Sequence, residues 1–153
     1  MLITQEQLKA KIDEKLASVQ VLDVHTHLFP ASFDGLLLWG IDEILTYHYL
    51  IAEYFRYSSM DYEQFFQLPK AEQADLVWQT LFLERSPVSE AQRGVLTILQ
   101  RLGLDVSARS LEDYRQHFRG LSLGEHIGNV FRLAGVKEAV WSAMGSPDTV
   151  KRS

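Results

Sequence analysis

The chain has 153 residues, 46% of them hydrophobic and 23% charged, a globular composition able to bury a core. Its 15 lysines and arginines face 20 acidic residues, for a formal net charge of −5; with no basic stripe, nucleic acid and anionic membrane surfaces are poor partners. Cysteine is absent, which excludes disulfides, thiolate metal sites and a cysteine nucleophile.

In chain order, "MLITQEQLKAKIDEK" becomes charged within a few residues and lacks the apolar core of a signal peptide. No apolar run approaches the roughly 20 residues of a membrane helix, so a cytoplasmic protein is expected. Thr4 can cap a first helix, with Gln7 completing a capping box. Leu8, Ile12 and Leu16 then recur at helical spacing, which predicts an amphipathic helix over residues 5–17. "VQVLDVHTHL" reads as a strand over about 19–28, ended by Pro30, which has no amide hydrogen for a sheet ladder.

From about 34 to 134 the chain reads as helical. Ile41, Ile44, Leu45, His48, Ile51, Ala52 and Phe55 share one face of a single helix of about four turns. "MDYEQFFQL" predicts a short helix, and "PKAEQADLVWQTLFLER" a longer one opened by proline. In "SPVSEAQRGVLTILQRLGL", Ser86 can cap, Pro87 can open and Gly103 can terminate. Ser110 caps "LEDYRQHFRG", and Ser122 with Glu125 forms a capping box for "LGEHIGNVFRLAG". "VKEAVWSAM" predicts a second strand at about 136–143. Residues 145–153 carry turn formers and charge without a pattern, and read as a frayed tail.

Two strands separated by a long helical excursion do not make a self-sufficient sheet. Either they begin a parallel α/β sheet, or the helices form a bundle with the strands at its margin. Chemistry concentrates in "VLDVHTHLFP". A strand alternates its faces, so Asp23, His25 and His27 project to one side and Leu22, Val24 and Leu28 to the other. Two imidazoles at that spacing can converge on one divalent cation such as zinc or iron, given a third ligand and an open position. They can equally be solvated side chains at a strand end.

Asp-Val-His-Thr-His-Leu at Asp23–Leu28 resembles the first-strand signature of the amidohydrolase superfamily. Within it, "LLLWGIDEILTYHYL" and "LFLERSPVSEAQRGVLTILQRLGLD" resemble a bacterial branch of the uronate (glucuronate) isomerases, over roughly residues 18–140. The resemblance implies an α/β fold: the incomplete N-terminal part of a (β/α)₈ TIM barrel, mostly helical because a long insertion follows strand one. On this reading residues 1–144 are that barrel segment. It also implies aldose–ketose isomerisation of glucuronate or galacturonate, moving a proton between C2 and C1 through a cis-enediol.

Carried over by position, His25 and His27 would be ligands of a divalent metal, zinc being favoured. His48 and Tyr49 would contact the uronic acid sugar, and the Tyr49 hydroxyl would polarise an oxygen or transfer a proton. Each also has a structural reading. His48 falls on the apolar face and could be a core histidine, Tyr49 could pack, and Asp23 could support the metal site or fill a barrel interior. His117 and His126 read as surface or packing residues, while Arg85 and Arg93 could hold the turn at Ser86 or reach a carboxylate.

A complete barrel takes about 250 residues and gathers its site from several strand ends, so this chain alone is expected to be inactive. The alternatives are a non-catalytic helical association module and a metal-dependent hydrolase on the same barrel. Unpaired strand edges and apolar surface favour a homo-oligomer.

Overall fold

The structure is a computed structural model that describes residues 3–24, 39–143 and 146–151, with residues 141–143 and 146–151 described as backbone only. It is a helix-rich α/β chain that divides into two compact units. One comprises residues 1–30 and 124–153, the other residues 31–123.

In the first unit, helix α1 (Gln5–Ser18) begins at the expected capping box. The Thr4 side chain accepts from the Gln7 amide at 3.2 Å, and the Thr4 amide donates to Gln7 Oε1 at 3.0 Å. Its apolar stripe is uncovered: α1 buries no side chain, and Leu8, Ile12 and Leu16 are 48%, 48% and 66% exposed. Strand β1 (Val21–Asp23) pairs in parallel with β2 (Val136–Ala143), in register Val21↔Val136 and Asp23↔Ala139 with an irregularity between Val21 and Leu22. Strand β2 is where the sequence places it. Gly135, at φ +66°, turns helix α8 (Leu123–Ala134) into β2, and its carbonyl accepts from the Val21 amide at 2.9 Å.

The tail is corrected. Ser146–Lys151 forms strand β3, antiparallel to β2 from Ala143↔Ser146 to Glu138↔Lys151. The sheet order is therefore β1-β2-β3. The absence of alternation in this segment misleads, because the outer edge of β2 supplies backbone donors and acceptors that any extended chain can satisfy. An edge position also tolerates Pro147.

The second unit holds the main core. Its helices are α2 (Ile41–Leu45), α3 (His48–Tyr54), α4 (Tyr62–Gln67), α5 (Lys70–Trp78), α6 (Glu90–Arg101) and α7 (Leu111–Arg119), and a π-helical turn (Gln79–Leu83) extends α5. Helix α6 buries Gln92, Val95 and Leu99, and α7 buries Leu111, Tyr114 and Phe118, both at helical spacing. These meet Leu45, Tyr54, Phe65, Val77, Trp78 and Leu81 in one apolar cluster. Gly103, at φ +82°, ends α6 as expected, and Ser110 caps α7 by accepting from the Asp113 amide.

Two helix boundaries differ from the sequence reading. Ser89, not Ser86, caps α6, because only Ser89 has a Gln three residues on to close a capping box. Its hydroxyl also donates to Glu53 Oε2 at 2.8 Å, fastening α6 to the end of α3. The single helix expected over residues 41–55 is two. Thr46 Oγ1 donates back to the Asp42 carbonyl at 2.7 Å, and Tyr47 takes extended backbone at φ −69°, ψ 143°. The chain restarts at His48.

Arg115 joins three helices. Its Nε donates to Asp42 Oδ1 at 2.9 Å on α2, and its Nη2 reaches Asp75 Oδ1 at 2.7 Å and the Ala71 carbonyl at 2.9 Å on α5. The Arg115 side chain is 16% exposed and that of Asp42 21%, so the pair is largely withdrawn from solvent. Replacing Arg115 with Met leaves Asp42 without its cation and is expected to cost about 2–3 kcal/mol in urea unfolding. The Asp42→Asn, Arg115→Met double variant should lose less than the two single losses combined, which a double-mutant cycle measures.

Candidate substrate-contact segment

His25 and His27 lie outside the described residues. Asp23 is half-buried at the end of β1, opposite Ala139. Among the described residues, no three histidine, aspartate or glutamate side chains gather in a group able to hold a metal ion.

His48 and Tyr49 open helix α3, and the break before them decides their surroundings. In one continuous helix, His48 would share the face of Ile41, Ile44 and Leu45. After the extended Tyr47, the buried positions of the new helix are Leu50 and Tyr54 instead. His48 is therefore exposed rather than a core histidine, and Tyr49 is 58% exposed rather than packed. Their rings stand 4.1 Å apart, centroid to centroid, at 42°.

Tyr47 completes the cluster. Its ring lies 4.2 Å from His48 and 5.4 Å from Tyr49, the latter edge-on. Its own desolvation, and then the neighbouring Tyr49, hold the Tyr47 phenol above its ordinary pKa. Sequence reasoning passed over Tyr47 because a continuous helix puts it off the face of His48. The run "TYHYL", with aromatic rings on both sides of a histidine, was the available signal.

The other singled-out residues are placed as follows. The Arg85 guanidinium lies over the Tyr57 ring, 3.8 Å from its centroid. Arg93 is exposed on α6. His126 is buried in α8, and His117 is half-buried in α7 against Phe118.

At the start of α2, Gly40 has φ +137°, and the Glu43 side chain folds over the place a β-carbon would occupy. Glu43 lines a cavity of about 180 Å³ together with Trp39, Asp42 and Arg115. Burial raises the Glu43 carboxyl above its ordinary pKa, opposed by its own backbone amide and by Lys70.

No family model matches the chain, and no curated protein matches it. A solved structure does. The chain is similar to the crystal structure of a uronate isomerase from Bacillus halodurans C-125, with 47% identity and a TM-score of 0.86 over 91% of this chain. With that identity over nearly its whole length, the chain resembles the N-terminal portion of a uronate isomerase. It spans about a third of the solved relative's length, 33%. Among the described residues no helix is long and apolar enough to cross a membrane.

Glu43 makes a pH prediction. Its folded pKa is raised, so the unfolded chain releases this proton first as pH rises. The stability it contributes is full below the unfolded glutamate pKa and is lost as pH rises through the folded one. The stability difference between Glu43→Gln and the parent chain should therefore shift in the variant's favour across that window. Urea midpoints on either side of the window measure the shift.

Proposed function

We propose that this chain forms the N-terminal segment of a (β/α)₈ barrel uronate isomerase, with β1 and β2 as its first two strands and the intervening helices as an insertion. The observation that carries the proposal is 47% identity to a uronate isomerase at a TM-score of 0.86. The parallel pairing of β1 with β2 agrees with it, since barrel strands are parallel. The substrate class is then a uronic acid sugar such as glucuronate or galacturonate, converted between aldose and ketose.

On this reading His48 and Tyr49 contact the sugar. Their exposure supports that role over packing, because a ring pair at a helix start can donate to and accept from hydroxyl and carboxylate oxygens. Tyr49 polarises a sugar oxygen or passes a proton to it as the enediol forms. His25 and His27 are the metal ligands. Two neutral imidazoles suit zinc, and a further ligand would come from outside the described groups. The ion would stabilise charge developing on the substrate oxygens.

A second reading, association without catalysis, is favoured by the uncovered Leu8, Ile12 and Leu16 stripe of α1. The two readings differ in what the chain can replace. Grafted in place of the matching third of the Bacillus halodurans enzyme, this chain should support turnover of a uronate, while the 153 residues alone should not. Tyr49→Phe in the graft should lower kcat by roughly 10²-fold with a smaller change in KM. His25→Ala with His27→Ala should abolish metal retention in equilibrium dialysis. A folded but inactive graft, or unchanged kcat in the Tyr49 variant, would overturn the catalytic assignment.

A further inference from the structure

The π-helical turn builds a second feature unrelated to the uronate contacts. Such turns are uncommon and recur at functional sites. Here it brings Trp78 and Phe82 face to face, ring centroids 4.7 Å apart and planes within 15°. Both rings line a cavity of about 300 Å³, closed further by Pro87, Leu96 and Val106. This is the low end of the roughly 300–1,000 Å³ typical of small-molecule pockets.

The polar groups on the wall are few. Trp78 is 4% exposed, and its Nε1 is buried with no hydrogen-bond partner. Ser107 already spends its hydroxyl on Asp105 Oδ1, at 2.6 Å. Arg109 lines the cavity from the loop before α7, in left-handed backbone at φ +51°. That conformation is uncommon for a residue other than glycine, asparagine or aspartate. The loop is pinned by Tyr114, whose hydroxyl donates to the Asp105 carbonyl at 2.9 Å. Among the described residues the Arg109 guanidinium makes no hydrogen bond or ion pair.

We propose that the Trp78–Phe82–Arg109 cavity binds a small aromatic carboxylate, its ring against the apolar walls and its carboxylate on Arg109. Aromatic walls match a ring, and a guanidinium matches a carboxylate. A uronate would not suit the cavity, since its ring carries hydroxyls that these walls cannot satisfy. The site is thus separate from the sugar contacts at His48 and Tyr49, and it stands or falls independently of the isomerase reading.

Sodium benzoate titrated into the ¹⁵N-labelled chain is the test, followed through the Trp78 indole N–H resonance, which Trp78→Phe identifies. Saturable movement with a Kd of about 1 mM or tighter is expected, with galacturonate producing none at the same concentrations. Arg109→Ala, on the exposed loop, should weaken benzoate roughly tenfold or more while leaving the remaining spectrum folded. Leu96→Phe, which fills the cavity from another wall, should also reduce binding. Absence of a saturable shift, equal response to galacturonate, or undiminished binding by Arg109→Ala would each overturn the proposal.

Discussion

The helical unit depends on one charged side chain held at the junction of three helices. Arg115 on α7 bonds Asp42 on α2 and both Asp75 and the Ala71 carbonyl on α5. Apolar burial is non-directional and would tolerate several arrangements of these short helices. A guanidinium fork with fixed directions tolerates far fewer. Helix α2 has only five residues and could not be stable by itself, so its position rests on Arg115 and on the burial of Ile41 and Leu45.

That anchorage gives the break at Thr46–Tyr47 its consequence. With α2 held, the change of direction at Tyr47 decides which side of α3 enters the core. Leu50 and Tyr54 turn inward, and Tyr54 packs against Phe65 at 5.2 Å. His48 and Tyr49 are left outward beside Tyr47. A histidine that periodicity assigns to an apolar face thereby becomes available for a ligand, and so does the tyrosine beside it. The functional reading of this segment therefore turns on the hydrogen bond from the Thr46 hydroxyl to the Asp42 carbonyl rather than on histidine chemistry.

The strand unit follows a different constraint. Parallel β1 and β2 leave edges whose backbone groups need partners, and β3 supplies them along β2. The helix beside them keeps its apolar stripe in solvent, at a cost in unrealised apolar burial.

Local chemistry was readable from the residues alone. The capping pairs at Thr4 and Ser110, the stop at Gly103 and the extent of β2 involve neighbours within a few positions, so spacing carries them. The family resemblance was also readable, because "DVHTHL" and the long helical insertion occur together in order. What spacing could not carry lies far apart in the chain or in competition between local bonds. Arg115 and Asp42 are 73 residues apart, and β3 depends on an edge rather than on its own composition. The exposure of His48 and Tyr49, and the cavity between Trp78 and Arg109, likewise depend on where the backbone turns. The sequence by itself determined which helices start, which residues could serve chemistry and which family the chain resembles. Tertiary structure alone decided which of those residues face solvent, because burial is set by packing partners that no single segment contains.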